Sequence, residues 1–262
     1  MSSKNDTISK TLIVVISLCL VCAFVVSTAA VQLRPLQEAN QLLDAQTNIL
    51  RSAKILEGAA SPAKVRELFA KHVEERIVNL STGEFTDKNP AEFDYRSSWR
   101  DDELSTQLSK KEDVASIRRK PHYAPVYLVT NNEGELFSVV LPIHGYGLWS
   151  TMHAFIALET DGNTIIAMNY YEQGETPGLG GEIENPRWIG QFEEKKLFDE
   201  QGNLALNIVR PGNASDPNHH IDGLSGATLT ANGVQNTFTF WMGEQGFGPF
   251  LSKVHQGALN NG

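Results

Sequence analysis

The feature that most constrains this chain is an uninterrupted apolar run near its N-terminus. No charged residue occurs between Lys10 and Arg34, and residues 11–33 are mostly Leu, Ile, Val, Ala and Phe. About twenty residues of helix span roughly 30 Å, which is the thickness of the hydrocarbon core of a bilayer. The run therefore predicts a transmembrane helix over residues 11–33, preceded by a short tail at residues 1–10.

The same run has a second interpretation, which is a cleaved signal peptide. Lys4 and Lys10 form a basic n-region, and Ser-Thr-Ala at residues 27–29 is similar to a small-residue cleavage site. Apolar residues continue beyond that site to Leu33, which favours a retained anchor. The short basic tail favours a cytoplasmic N-terminus, with residues 34–262 outside.

Both cysteines of the chain, Cys19 and Cys22, lie within the apolar run. Residues three apart share one face of a helix, and a free cysteine packs as a small apolar side chain. We therefore interpret the pair as packing residues and not as a redox or metal motif. No disulfide can form within residues 34–262.

The charge of the chain excludes one class of partner. Its net charge is −9, while 41% of its residues are hydrophobic and 20% are charged, as in ordinary globular proteins. Contacts to nucleic-acid phosphates need clustered Lys and Arg side chains. The acidic balance therefore argues against nucleic-acid binding.

Residues 34–120 are predicted to be helical and irregular. Apolar residues after Pro35 recur at helical spacing. A second helix is predicted to begin at Ser61-Pro62, because serine suits the N-cap and proline the first turn. From about residue 80 the chain is polar, which predicts an irregular connection with short elements. One side of the second helix is predicted to carry Val65, Leu68, Phe69 and Val73.

Residues 34–120 are predicted to be the N-terminal part of the extracytoplasmic domain, and residues 121–262 are predicted to form a domain with an antiparallel sheet. Pairs of apolar, β-rich segments flank Asn-Asn-Glu-Gly at 131–134 and Asp-Gly at 161–162, and each pair predicts a hairpin. Clustered antiparallel strands with helices at their ends predict an α+β fold. The other predicted elements are a helix capped by Asn185, a strand at 205–212, a polar loop at 219–230 and a helix from about Thr230 to Glu244.

Three short segments carry the candidate chemistry. They are GYGLWS (Gly145 to Ser150), GETPGLGGE (Gly174 to Glu182) and DGLSGATLT (Asp222 to Thr230). All three are rich in glycine and small hydroxyl residues, so that their backbones can approach a ligand closely and their N–H groups can hold a phosphate. The third leads into a helix, whose N-terminus favours an anion.

Two other kinds of site can be weighed against this one. Residues 223–227 (Gly-Leu-Ser-Gly-Ala) are similar to the Gly-x-Ser-x-Gly elbow of α/β-hydrolases, but they end in alanine. Only Glu244 and His255 follow Ser225 as candidate triad partners, and the alternating strands and helices of a hydrolase are missing. His219-His220 has no spaced third ligand, which favours a surface loop over a metal site.

Residues Asp222 to Thr228 match the flavin-attachment pattern Asp-x-x-Ser/Thr-Gly-Ala-Ser/Thr. With this motif, the two other glycine-rich segments and the N-terminal helices, the chain resembles the FMN-carrying C subunits of the sodium-translocating NADH:quinone reductase. Their FMN-binding domain is shared with the related Rnf electron-transport complex. The resemblance covers nearly the whole chain. It implies an antiparallel-sheet FMN-binding domain anchored by one helix in the bacterial inner membrane, with the bulk of the chain periplasmic.

The resemblance also implies roles for the residues of the motif. Thr228 would carry FMN through a phosphoester, attached by an external flavin transferase that takes the FMN moiety from FAD. Gly226 and Ala227 would leave room for the transferase and the phosphate, and Ser225 completes the motif. Asp222 would serve recognition or metal-assisted transfer.

The other two segments are implied to surround the flavin. Trp149 and Leu179 are candidates for contact with the ring, and Glu175 and Thr176 for contact with polar ring or ribityl atoms. Two alternatives stay open, because Trp149 could be a core aromatic residue and Glu175 a solvated loop acid. The backbone at Gly178 and Gly180 completes this part of the predicted site.

The function implied is that of a member of a redox complex that relays electrons. The complex oxidises NADH, reduces ubiquinone and exports sodium, and this chain alone would do none of these, since it has no Gly-x-Gly-x-x-Gly nucleotide fingerprint. A single span without acidic residues is expected to take no part in the sodium path. The alternatives are the equivalent component of the Rnf complex and a secreted covalent flavoprotein cleaved after Ala29.

Overall fold

A computed structural model describes residues 8–257 and 259, so that residues 1–7 of the predicted tail lie outside the described part of the chain. The helices are α1 (Ile8–Ser52), α2 (Pro62–His72), α3 (Tyr95–Ser98), α4 (Pro186–Ile189), α5 (Thr228–Trp241) and α6 (Gly248–His255). The strands are β1 (Val73–Asn79), β2 (Glu84–Phe85), β3 (Ser105–Gln107), β4 (Arg119–Pro121), β5 (Tyr123–Thr130), β6 (Leu136–Tyr146), β7 (Thr151–Glu159), β8 (Ile165–Glu172), β9 (Asn207–Val209) and β10 (His220–Asp222).

Helix α1 is continuous through Pro35. The predicted transmembrane helix and the helix predicted after Pro35 are therefore one helix. Proline removes one backbone hydrogen bond of a helix, and the helical residues on both sides of Pro35 continue past that gap. Its most apolar stretch has a mean hydropathy of 2.8 and is entirely unburied. By length and composition α1 is able to cross a membrane.

The chain divides into two units, Met1–Ala45 and Gln46–Gly262. The last turns of α1 belong to the second unit, where Ile49 of the helix and Ala53, which directly follows it, are buried in a cluster with Val140 and Phe155. The end of this helix is therefore part of the core of the globular unit.

A six-stranded antiparallel sheet in the order β2-β1-β5-β6-β7-β8 forms the centre of the second unit. The two predicted hairpins are confirmed as β5–β6 and β7–β8, with Gly134 and Gly162 at positive φ in their turns. Strand β1 was not predicted, and it pairs with β5 along its whole length. The α+β fold is confirmed, and its sheet joins strands from both sides of residue 120.

Both faces of the sheet are covered by buried side chains. Successive side chains of a strand point to opposite faces, so alternate residues of β6 belong to two different core clusters. Leu141 and Ile143 of β6 belong to the main core cluster, which also contains Val234 and Phe238 of α5. Val140 belongs instead to the cluster around Ile49. Helix α5 is thereby fixed against one face of the sheet, with its N-terminus at the candidate site.

Several boundaries differ from those predicted. Helix α2 begins as predicted, with the Ser61 hydroxyl accepting a hydrogen bond from the Lys64 N–H, but Val73 starts β1 instead of extending the helix. The helix after Asn185 is only the four residues of α4, followed by a 3-10 turn. This break allows both Trp188 and Phe192 to be buried.

The C-terminal part of the second unit contains two unpredicted elements. Within the predicted polar loop, residues 220–222 form β10, which pairs in parallel with β9. Helix α6 follows α5, which itself begins at Thr228, two residues earlier than predicted, and ends at Trp241. Parallel pairing of two three-residue strands depends on distant chain contacts, so local sequence patterns do not indicate it.

Two neighbouring histidines are buried in the sheet. His144 of β6 is the cross-strand partner of His153 of β7, and Trp99 stacks on both, with ring centroids 4.1 and 5.7 Å away. Burial, with His153 and Arg96 nearby, lowers the pKa of His144 well below its ordinary range. Burial and Arg96 lower the pKa of His153 to about 4, against the opposing effect of Glu172. Both rings are therefore neutral in the folded protein at neutral pH.

We expect the free energy of unfolding to fall as the pH drops from 6.5 to 5. In this range the unfolded chain protonates these histidines and the folded chain does not, so that stability rises with pH, by at most about 1.4 kcal/mol per pH unit for each histidine. Denaturant unfolding of the full chain at several pH values measures the slope. His153→Gln should make it shallower, and an unchanged slope would show that His153 titrates normally when folded.

Candidate functional site

The buried carboxylate of Glu175 joins the three glycine-rich segments. Its Oε1 atom accepts hydrogen bonds from the N–H groups of Leu148, Trp149 and Ser150 at 3.1, 2.8 and 3.1 Å. Its Oε2 atom accepts one from the Thr230 hydroxyl at 2.7 Å. One side chain of the second segment thus holds the backbone of the first and the helix start of the third.

Two glycines make room for this carboxylate. A Cβ atom on Gly147 would lie 2.6 Å from Glu175 Oε1. A Cβ atom on Gly180 would lie 2.5 Å from Thr230 Oγ1 and 2.8 Å from Glu175 Oε2. Real Cβ atoms do not approach so closely, so any other residue here would displace the carboxylate or the hydroxyl.

The environment of Glu175 keeps its side chain charged. Burial alone would raise the pKa of this carboxyl, but the hydrogen bonds from Thr230 and from the N–H groups of Trp149, Leu148 and Ser150 outweigh burial and lower it. The side chain is 5% exposed. The alternative that Glu175 is a solvated loop acid is therefore wrong.

The loop after β6 is held by further contacts. The Tyr146 hydroxyl donates to the Trp149 carbonyl at 2.9 Å, and the Gly174 N–H donates to Ser150 Oγ at 2.6 Å. The loop is anchored by its backbone, and its apolar side chains project into solvent. Trp149 is 65% exposed, which excludes its alternative role as a core aromatic residue.

Thr228 is the first residue of α5 and its side chain is exposed. The N-cap, Ala227, supplies no side-chain hydrogen bond to the first turn, so the N–H groups of that turn have no side-chain cap. Ser225 and Gly226 form the exposed turn before it, with Gly226 at φ 77°. An anion bonded to the Thr228 hydroxyl would lie at the positive end of the helix dipole.

Leu179 connects the second segment to this turn. A Cβ atom on Gly226 would lie 3.3 Å from Leu179 Cδ2, so the two residues are neighbours. Leu179 is 46% exposed. Exposed apolar side chains occur on all three segments, and with Leu179 they are Tyr146, Leu148, Trp149 and Leu229.

The remaining residues predicted in the second segment shape its turn. The Thr176 carbonyl accepts hydrogen bonds from the N–H groups of Leu179 and Gly181 at 3.1 and 3.0 Å. Gly178 has a φ of 75°, a left-handed conformation that favours glycine. Thr176 and Gly178 are exposed, whereas Gly180 is buried beside the Glu175 carboxylate.

Asp222 accepts hydrogen bonds from neighbouring backbone N–H groups and from a tryptophan indole. Its Oδ1 atom accepts hydrogen bonds from the N–H groups of Asn213 and Ala214, each at 3.1 Å. Its carbonyl accepts one from the Trp188 indole at 2.8 Å. Asp222 therefore fixes the position of the turn that precedes Thr228.

A cleft of about 660 Å³ lies beside this turn. It is lined by Leu179, Asp222 and Ser225, and also by Arg187, a cationic residue that the sequence patterns did not single out. Its size falls in the range of small-molecule sites. A cavity of about 690 Å³ elsewhere contains none of the predicted site residues, but His219 and His255 line it.

The contacts of His255 and His219 do not support a hydrolase triad at Ser225 or a metal site at His219-His220. His255 makes its hydrogen bond with the Asp161 carbonyl at 3.2 Å, and it lines the other cavity, away from Ser225. His219 pairs with Asp216 at 2.9 Å. These two histidines therefore have local structural partners.

The sequence patterns missed Thr230 and Gly147 as parts of the site. Both lie within glycine-rich segments that were singled out, but their individual roles depend on Glu175, which is 55 residues from Thr230. An acidic residue in one glycine-rich loop, together with a hydroxyl residue in another such loop, was the available sequence signal.

Comparison with known proteins gives consistent results. Residues 147–243 match the FMN-binding domain family. The chain is 55% identical over 260 residues to the C subunit of the Na(+)-translocating NADH-quinone reductase of Vibrio alginolyticus, covering 99% of this chain and 100% of that protein. The C subunit of the same reductase from Pasteurella multocida is 45% identical over 262 residues, and all of both chains is covered.

Solved structures are also similar. The crystal structure of Shewanella oneidensis NqrC has a TM-score of 0.75 at 36% identity, covering 84% of this chain and 99% of that one. The crystal structure of the C subunit of the Na(+)-translocating NADH-quinone reductase from Parabacteroides distasonis has a TM-score of 0.65 at 28% identity, covering 84% of this chain and 97% of that one.

Proposed function

This chain belongs to the family of C subunits of the Na(+)-translocating NADH-quinone reductase, and on that premise we propose that it carries FMN as a phosphoester on Thr228 and relays electrons within the complex. The observation that carries the proposal is the exposed Thr228 hydroxyl at the first position of α5, where the three glycine-rich segments meet. The residues around Thr228 fit an attached flavin phosphate and ring.

The phosphate fits the start of α5. The first turn has no side-chain cap, because Ala227 stands at the N-cap, and a phosphate oxygen can accept from its N–H groups. Arg187 in the adjacent cleft supplies a positive charge. Ser225 and Gly226 are exposed, so that a flavin transferase could reach the threonine.

The flavin ring fits the apolar side chains around Thr228. Trp149 and Leu179 are exposed on different segments, and flat aromatic or aliphatic surfaces of this kind suit contact with a planar ring. Thr176 is exposed on the same segment as Leu179 and can offer a hydroxyl to polar atoms of the cofactor. Leu148 and Leu229 extend the apolar surface.

The chemistry of the site is electron transfer. When bound, FMN accepts and passes on electrons, and the residues of this chain hold it and set its surroundings. A covalent bond suits an exposed relay site, since it prevents loss of the cofactor. Other membrane subunits of the complex would supply NADH oxidation, ubiquinone reduction and the sodium path.

The apolar helix α1 supports a retained anchor in the inner membrane. Ala29, after which a signal peptidase would cut, lies inside this continuous helix. With the N-terminus cytoplasmic, residues 34–262 would be periplasmic. The two alternatives are a component of the Rnf complex and a secreted flavoprotein, and the 55% identity to a relative from the reductase over nearly the whole chain favours the reductase.

Isolation of the complex tests this proposal. A C-terminal affinity tag on the full chain should recover the other membrane subunits from solubilised membranes, together with NADH-dependent ubiquinone reduction. The tagged chain should retain FMN after denaturation. Protease added to spheroplasts of the same cells should remove the tag, because the C-terminus is expected outside the inner membrane.

Different outcomes contradict different parts of the proposal. A tagged chain that purifies alone from the periplasmic fraction would identify a secreted flavoprotein. A complex without NADH-dependent ubiquinone reduction would favour the Rnf alternative. A tag that survives protease in spheroplasts, but not in lysed cells, would reverse the orientation.

A further inference from the structure

The Glu175 carboxylate has little capacity left for a ligand. It accepts hydrogen bonds from four neutral donors, which are three backbone N–H groups and the Thr230 hydroxyl. The Leu148 N–H is shared between both oxygens, at 3.1 Å from each. A carboxylate offers about four lone-pair sites, so these donors occupy most of them. The family resemblance implied that Glu175 contacts polar flavin atoms directly. Its occupied oxygens favour a different role.

The same contacts fix two parts of the flavin site relative to each other. One oxygen holds the backbone of the loop that carries Trp149, and the other holds Thr230, two residues after Thr228 on α5. Gly147 and Gly180 allow no larger side chain at this point. The carboxylate is thus the link between the aromatic side chain and the attachment point.

The link also carries a charge, and among the described residues no hydrogen bond or ion pair joins it to a cation. In the described part of the chain, all the hydrogen-bond donors to Glu175 are neutral, and they keep its pKa below the usual range. A buried charge is screened less than a surface charge. Reduction of a flavin adds electrons, which a nearby fixed negative charge disfavours.

We propose that Glu175 is a positioning residue, which holds the loop of Trp149 against the first turn of α5 and places a fixed negative charge beside the flavin that lowers its reduction potential. This inference rests on the proposed attachment of FMN to Thr228. It assigns Glu175 no contact with the cofactor.

The test compares Glu175→Gln with two other variants of the full chain in detergent. Glu175→Gln keeps the shape of the side chain but removes the charge. Glu184→Gln removes an exposed charge two residues after the segment that contains Glu175, and it is the matched control. Thr230→Val removes one hydrogen-bond donor and keeps the Glu175 charge.

Two readouts separate positioning from general stability. Amide hydrogen exchange at residues 148–150, measured without flavin, should be at least about tenfold faster in Glu175→Gln, because hydrogen bonds to a charged acceptor are strong. In the flavin-loaded protein the reduction potential should shift to more positive values in Glu175→Gln, and not in Glu184→Gln or Thr230→Val. Thr230→Val should give an intermediate rise in exchange.

Each contrary outcome overturns a defined part of the proposal. Unchanged exchange at residues 148–150 in Glu175→Gln would reject the positioning role. Should that variant fail to fold, unchanged exchange in Thr230→Val would do the same. Equal reduction potentials in Glu175→Gln and Glu184→Gln would reject the effect of the charge. Intact mass reports separately on FMN attachment, so a chain without covalent FMN contradicts the proposed function and leaves the exchange result to stand by itself.

Discussion

Replacing Thr228 with alanine should abolish covalent FMN completely. The hydroxyl of Thr228 is the proposed acceptor of the phosphoester, and alanine has no oxygen to form that bond. Denaturation removes cofactors held by noncovalent contacts, so intact mass after denaturation measures the bond alone. In chains produced with the flavin transferase, wild type should gain the mass of FMN less water, and Thr228→Ala should gain nothing.

Three further variants control this experiment. Thr228→Ser keeps a hydroxyl and fits the attachment pattern, so it should retain FMN. Thr239→Ala removes an exposed threonine later on the same helix and should also retain it. Loss of FMN from Ser225→Ala, with retention in Thr228→Ala, would move the acceptor to Ser225. Absence of FMN from every chain, while a control substrate is modified, would reject the attachment.

Replacing Phe238 with alanine should cause a large loss of stability. Phe238 is fully buried between α5 and the sheet, and its ring stacks on Phe192 with centroids 5.6 Å apart. Truncation of a buried phenylalanine to alanine costs about 3–5 kcal/mol, since it removes apolar contacts and leaves a cavity. For a unit of this size the melting temperature should fall by roughly 10 °C.

The neighbouring residue supplies the control for this prediction. Thr239 follows Phe238 on α5 but is exposed, so Thr239→Ala should change the unfolding free energy by less than about 0.5 kcal/mol. Thermal unfolding of the full chains in detergent, followed by circular dichroism, measures both variants. Equal melting temperatures for the two variants would mean that the core collapses around the missing ring without cost.

Sequence patterns predicted the elements whose formation depends on near neighbours. The hairpin turns at 131–134 and 161–162 need only a few residues with the right conformational preferences, and both were found where predicted. The start of α2 at Ser61-Pro62 is equally local. Strand β1 escaped prediction because its charged sequence becomes a strand by pairing with β5, about fifty residues later.

The candidate site shows the same division. The motif from Asp222 to Thr228 marked the proposed attachment point beside a predicted helix, and the structure shows Thr228 exposed as the first residue of that helix. Trp149 and Glu175 were recognised, but their surroundings were not. The tryptophan is exposed and the glutamate buried, and burial depends on contacts with distant segments.

Local sequence was enough to predict the membrane-spanning capacity of α1, the hairpins of the sheet and the residue types of the motif from Asp222 to Thr228. Each follows from the chemistry of a short stretch of chain, such as its hydrophobicity, turn preference or hydroxyl group. Folding of the whole domain was needed to reveal that Glu175 joins three loops through its carboxylate. That arrangement requires residues 148, 175 and 230 to meet. They meet because α5 packs on the sheet and brings distant loops together, which buries the carboxylate.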